Sequence, residues 1–242
     1  MEAIEIRDLT KQYRDVTAVS GLTLSIHAGE LFSLLGVNGA GKTTTIKMLS
    51  CLTAPTSGDA LLCGHSIVKE ASQVKSVIAV SPQETAVAPH LTVRENLELM
   101  AGVHGFSRQK SADACDAMIQ RLDLSSVARK AAGKLSGGWQ RRLSIAMALI
   151  SEPKILFLDE PTLGLDVLAR SELWDVIREL KGKSTIILTT HYMEEAEALS
   201  DRIGIMKTGR LVACGTAAEI KELGGSDKME DAFVNIVKGA AQ

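Results

Sequence analysis

The 242-residue sequence predicts an α/β fold: a mostly parallel sheet, a small antiparallel β layer beside it, and a helical insert between strands. Short apolar runs bounded by turn residues alternate with stretches of helical spacing, and that rhythm implies parallel strands. Two early segments instead alternate apolar and polar residues, as strands with one buried face do. Residues 83–150 carry mostly helix signals.

The elements follow in chain order. Ile4-Glu5-Ile6 and Leu22-Thr23-Leu24-Ser25-Ile26 read as the alternating strands. Gly29-Glu30 turns the chain into Leu31–Leu35, a run consistent with a buried strand. After Lys42 helical spacing takes over, with Ile46, Leu49 and Thr53 on one side, and Pro55 and Ser57-Gly58 mark its end. Residues 60–63 form a further strand, and 77–80 a buried one. In the insert, Thr92-x-x-Glu95 is a capping box, in which each side chain satisfies the other residue's backbone amide. Val93, Leu97, Met100 and His104 follow at helical steps, and Ala112, Cys115, Ile119 and Leu122 continue in a second segment. Strand patterning returns at 155–158 and 185–188, separated by a helix carrying Leu173, Ile177 and Leu180. Residues 203–206 and 210–213 read as a hairpin turning at Thr208-Gly209, and the tail from Thr216 as helical. The length suits one domain, 1–242, with a core of about 1–83 and 151–242 and a helical subdomain of about 84–150.

Composition excludes several classes. The longest uninterrupted apolar stretch is residues 145–150, far short of the ~20 residues a membrane span needs. The start mixes Glu2, Glu5, Arg7, Asp8 and Lys11 into its apolar residues, unlike a signal or transit peptide, so the product is expected in the cytoplasm. Cys51, Cys63, Cys115 and Cys214 lie far apart and read as buried free thiols rather than a zinc or redox site. A net charge of −2 offers no basic field for nucleic acid, and 3% aromatics are too few to stack single strands.

Two motifs carry chemistry. Gly36-Val37-Asn38-Gly39-Ala40-Gly41-Lys42-Thr43 follows a predicted strand and opens a predicted helix, which is the context a phosphate-binding P-loop requires. Glycines let backbone N–H groups converge on phosphate, the helix adds its N-terminal dipole, Lys42 reaches the outer phosphates, and the Thr43 hydroxyl can ligate Mg²⁺. Ile155-Leu156-Phe157-Leu158-Asp159 ends a buried strand in a carboxylate suited to hold the Mg²⁺ shell. Glu160, one residue on, is placed to orient or deprotonate an attacking water.

Leu135-Ser136-Gly137-Gly138-Trp139-Gln140 then resembles the signature motif of the ABC ATPases. P-loop, Gln83, signature, Asp159-Glu160 and His191 stand in that family's order across nearly the whole chain. The resemblance implies an Mg-dependent ATPase that binds two ATP in a head-to-tail dimer of itself or with a paralogous subunit. It also implies work on separately encoded transmembrane permease subunits at the cytoplasmic face of the membrane. By the same resemblance Tyr13 stacks on adenine, and Gly36, Asn38, Gly39, Ala40, Gly41, Lys42, Thr43 and Thr44 hold the phosphates. Gln83 touches Mg²⁺ and water. Ser136, Gly137 and Gly138 contact the γ-phosphate bound by the other subunit, Asp166 lies in the loop coupling the two sites, and His191 positions Glu160 and the water. Trp139 departs from the usual glutamine, which bears on packing of the insert or approach of the partner. The stretches 37–45, 191–197 and 213–216 resemble the bacterial exporter branch that includes drug- and antibiotic-resistance pumps. That branch commonly carries a longer C-terminal extension, so a regulatory domain is expected to be absent. The alternatives are a soluble ABC ATPase acting on ribosomes or DNA, and a nucleotide switch with negligible hydrolysis.

Overall fold

The computed structural model describes residues 1–240. Its strands are β1 (Glu2–Tyr13), β2 (Val16–His27), β3 (Leu31–Leu35), β4 (Ser57–Leu62), β5 (His65–Ser66), β6 (Ile78–Ser81), β7 (Ile155–Asp159), β8 (Thr185–Thr190), β9 (Arg202–Lys207) and β10 (Arg210–Gly215). Its α-helices are α1 (Lys42–Leu49), α2 (Ala71–Val77), α3 (Val93–Val103), α4 (Arg108–Arg121), α5 (Gly137–Leu149), α6 (Val167–Leu180), α7 (Met193–Leu199), α8 (Ala217–Leu223) and α9 (Met229–Gly239).

Six strands make the central sheet in the order β10-β9-β3-β8-β7-β6. All its pairings are parallel except β10 on β9, the hairpin expected at 203–213. That hairpin turns through positive φ at Thr208 (46°) and Gly209 (79°), the backbone that matches strand twist. The strands β2-β1-β4-β5 form a separate antiparallel sheet.

Because strand side chains alternate, β3, β7 and β8 feed two cores while buried along their whole length. Leu31, Leu156, Leu158, Ile186 and Leu188 pack with helices α3 to α6. Phe32, Leu34, Ile155, Phe157 and Ile187 pack on the opposite side with α1 and the antiparallel sheet. The insert is α3, α4 and α5, with two short 3₁₀ turns before the last. Its first helix starts at the Thr92–Glu95 capping box, both reciprocal bonds present.

Some local expectations differ from the structure. Helix α1 stops at Leu49, so Thr53 lies beyond it; Cys51 at φ 56° reverses the chain, and the Leu52 and Thr53 amides both return to the Lys47 carbonyl. Val77 ends a helix rather than starting a strand. Helices α2 and α7 and strand β5 were not expected. Of the four cysteines, only Cys115 is buried; Cys51 and Cys63 are partly covered and Cys214 is exposed. No helix among the described residues is long and apolar enough to cross a membrane.

Candidate active site

The order β3-β8-β7-β6 sets the C-terminal ends of four parallel strands side by side, about 4.8 Å apart. Leu35 pairs with Thr190, Asp159 with Thr189, and Ser81 with Leu158. The four segments leaving this edge are therefore the glycine loop, His191, Glu160 and Gln83. In parallel α/β sheets this edge is where ligands bind.

The loop needs its glycines. Gly41 sits at φ 106°, and a Cβ there would meet the Ala18 carbonyl oxygen at 2.5 Å. It also N-caps α1 without a side chain, leaving the first-turn amides free for an anion. Lys42 lies folded into its own loop, donating from Nζ to the carbonyls of Gly36 (2.8 Å) and Val37 (3.3 Å). Glu160 Oε1 stands 3.4 Å from the same nitrogen, and both side chains are buried. The lysine is thus latched to the loop and to this carboxylate.

Thr189, fully buried, organises the acidic pair. Its hydroxyl donates to Asp159 Oδ1 and accepts from the Glu160 amide (3.1 Å), while its carbonyl takes the same amide at 3.1 Å. Glu160 has a positive φ of 48°, a strained backbone for a residue with a Cβ. Its Oε2 lies 2.8 Å from His191 Nδ1. The Thr43 hydroxyl donates to Asp159 Oδ1 at 3.3 Å.

Thr43 and Asp159 give adjacent oxygen donors of the kind a hard cation takes. The described residues hold no cluster of three or more His, Cys, Asp or Glu. This donor set fits Mg²⁺, which binds one or two carboxylates and completes its shell with substrate phosphates and water.

An open cavity of about 510 Å³ joins these groups, lined by residues 38–44, Gln83, Glu160, Thr208 and residues 16–18 of the β1–β2 hairpin. A larger hollow of about 730 Å³ lies by Lys154 and Thr185, at the starts of β7 and β8 and away from this edge. Tyr13 does not line the nucleotide-sized cavity. It is exposed, paired across the hairpin with Val16, and carries Lys11 Nζ 4.9 Å from its ring centroid.

Ser136, Gly137 and Gly138 do not line that cavity either. Ser136 caps α5 by position only: its hydroxyl makes no capping bond, and Ser136 and Gly137 are exposed. Gly137 lines instead a separate open hollow of about 360 Å³, shared with Gln83, Arg141 and residues 163–165. The signature segment backs onto α6 and the loop before it, where Leu165 and Ala169 stand 3.6 and 3.2 Å from where Cβ atoms on Gly137 and Gly138 would be. Asp166 caps α6, accepting from the Ala169 amide at 2.9 Å. Trp139 is half-buried under the Arg142 guanidinium (5.0 Å), which pairs with Glu172 of α6 at 2.6 Å and Asp123 at 3.6 Å.

Residues 19–163 match the family model described as ABC transporter. The chain belongs to the ABC transporter family. The daunorubicin resistance ATP-binding protein DrrA3 of Streptomyces coeruleorubidus is 42% identical over 229 residues, covering 94% of this chain and 72% of that protein. A solved structure of the ATP-binding subunit of an ABC transporter aligns with a TM-score of 0.85 at 29% identity, over 97% of this chain and 99% of the other. A dimeric ATP-binding cassette in a post-hydrolysis state, bound to ADP and Pi, aligns at 0.78 with 25% identity, over 88% and 98%. This ABC subunit binds ATP and couples its hydrolysis to transport.

Three side chains beside the expected residues were not found from sequence. One is Thr189. Another is Arg141, which is buried and donates to the carbonyls of Pro82 (2.6 Å) and Gln83 (2.5 Å). Its signal was two adjacent arginines entering a helix whose residues 141–149 are all buried. The third is Glu195, fully buried, whose Oε1 accepts from Trp174 Nε1 at 3.1 Å. Burial pushes its carboxyl above the ordinary range, against the Thr190, Thr162 and Trp174 side chains and the Arg170 charge, which work the other way.

Proposed function

We propose that this chain is the motor of an exporter and works as a head-to-tail pair, with each ATP held between one copy's glycine loop and the other's Ser136-Gly137-Gly138 segment. One observation carries this: Ser136 and Gly137 are exposed, the Ser136 hydroxyl makes no capping bond, and the segment lies outside the cavity that gathers Lys42, Thr43, Gln83 and Glu160. A phosphate bound there lacks donors on its open side, and exposed helix-start amides of a second copy supply them. Tyr13 extends the wall on the face it shares with Val16, toward the base of the nucleotide.

Lys42, turned from the Gly36 and Val37 carbonyls, meets the outer phosphates. Thr43, Asp159 and Gln83 would hold Mg²⁺, which when bound would supply neutralisation of the phosphate charge. Glu160 takes a proton from the attacking water, and His191 holds Glu160 Oε2 through Nδ1 so that the carboxylate faces it. Asp166, at the start of α6 behind the signature segment, lies where the two copies meet. Hydrolysis removes charge shared by both copies and lets the pair open.

Export is supported by the drug-resistance relative, and the chain sits at the cytoplasmic face of the membrane on a separately encoded spanning subunit. Affinity purification from detergent-solubilised native membranes, with mass spectrometry of stoichiometric partners, tests this. A multi-spanning protein recovered one-to-one supports it. Recovery alone or with ribosomes overturns the transport role while leaving the ATPase in place.

A further inference from the structure

Helix α5, which begins at the signature segment, is fastened to the segment carrying Gln83 at two places. Arg141 is 5% exposed, and its guanidinium donates in a fork to the Pro82 and Gln83 carbonyls at 2.6 and 2.5 Å. One turn on, the buried hydroxyls of Ser144 and Ser81 meet at 2.9 Å. Among the described residues no carboxylate lies within ion-pair distance of Arg141. Burial pushes its guanidinium down from the ordinary value and the Asp159 charge opposes this; an arginine so placed still remains a cation. An apolar side chain would pack α5 on β6 at a lower desolvation cost. Packing therefore does not account for an arginine here, whereas a need to fix two carbonyls does.

We propose that Arg141 is a positioning residue, a two-bond strap that couples the two ATP sites of the pair by passing movement of Gln83 in one site to the signature segment that completes the other. The inference rests on the composite-site reading given under Proposed function. Gln83 lines the cavity of its own chain, while Ser136 faces the nucleotide of the partner copy. Arg141 lies five residues after Ser136 along α5, about 7.5 Å of rise, a stiff connection. A planar fork on two successive carbonyls fixes orientation as well as distance, which a lysine ammonium does not.

The test uses the purified full chain. Phosphate release is measured against MgATP concentration for the parent, Arg141→Met (stem without charge) and Arg141→Lys (charge without fork). Binding of the fluorescent analogue TNP-ATP is measured at protein concentrations too low for pairing. The parent is expected to show a Hill coefficient clearly above one, toward the limit of two set by two sites. Arg141→Met is expected to bring it near one and lower kcat roughly tenfold, as loss of charge-assisted bonds does, with TNP-ATP affinity within about twofold. Arg141→Lys is expected to fall between. A parent coefficient near one, or an Arg141→Met protein with the parent's coefficient and kcat, overturns the strap. If Arg141→Met does not fold, Arg141→Lys decides: an unchanged coefficient overturns it and a lowered one supports it. Ser136→Ala separates the two levels. If it leaves hydrolysis unchanged the composite site itself fails; if it impairs hydrolysis while the Arg141 variants do not, only the strap fails.

Discussion

Replacing Glu160 with glutamine acts on two features of the site in opposite directions. Glu160 Oε1 and Lys42 Nζ stand 3.4 Å apart, both buried. At an effective dielectric near 20, unit charges at that separation attract by ~5 kcal/mol before desolvation is counted. Desolvation removes much of this, so the latch contributes a few kcal/mol at most. ATP must break it to recruit Lys42, and the carboxylate also repels the arriving phosphate. Neutralising Glu160 lifts both obstacles at nearly constant shape. ATP affinity is then expected to rise roughly tenfold, corresponding to ~1.4 kcal/mol. Turnover moves the other way. Glutamine takes no proton from water, and loss of a general base costs about 10²- to 10⁴-fold. Calorimetric titration of MgATP reads the first change, and steady-state phosphate release at saturating MgATP reads the second. Turnover within threefold of the parent refutes Glu160 as the base, and weaker ATP binding refutes the latch.

Three further outcomes follow from burial and hydrogen bonding. Glu195→Gln tests the raised carboxyl: a group whose folded value is raised contributes stability that is complete below its unfolded value (about 4.3) and lost as pH rises through the folded one. Denaturant melts from acid to neutral pH should show the glutamine variant gaining on the parent as pH increases; parallel curves would show that Glu195 titrates normally. Phe157→Ala empties a fully buried ring position between β7 and the antiparallel layer and should cost about 3–5 kcal/mol, or roughly 6 °C or more of Tm. Thr92→Ala removes the hydroxyl that accepts from the Glu95 amide at the start of α3, leaving the Thr92 backbone bond to the Glu95 carboxylate, and should lower stability by ~1 kcal/mol, read as a shifted urea midpoint at unchanged slope.

What the sequence disclosed was whatever its neighbours in the chain decide. The glycine loop, the Asp159-Glu160 pair after four apolar residues, the Thr92 box and the Thr208-Gly209 turn are local patterns, and the structure carries each as strand end, loop, cap or hairpin. Helix α2 escaped because only Val74 of its seven residues is buried, too little for a helical stripe. Helix α7 turns Glu195 inward beside Ala196 and Leu199, which hides its apolar face from a hydrophobicity pattern. Thr53 lies off the helix because Cys51 is left-handed, a conformation its Cβ disfavours and that its residue type therefore does not announce. Arg141 and Glu195 were missed for a further reason. A charge in a sequence implies solvent, and the partners that permit burial lie far along the chain: Arg141 from Gln83 by 58 residues, Glu195 from Trp174 by 21. The family resemblance already assigns Ser136 to the site of the other copy, and in the folded chain Ser136 lies exposed, outside the cavity that Lys42 lines.

Whether ATP is hydrolysed between two copies is tested most directly by mixing two inactive variants. Lys42→Ala removes the lysine of the glycine loop, and Gly137→Asp places a negative charge where the partner's phosphate would sit. Each alone should be inactive. In a mixed pair one site carries both defects and the other carries neither. Random re-pairing of equal amounts makes about half the pairs mixed, each with one of its two sites intact, so phosphate release should return, to about a quarter of the parent rate if the sites fire independently and to less in proportion to their coupling. A mixture as inactive as its two components, with mixed pairs demonstrated by differential tags, would contradict the shared site.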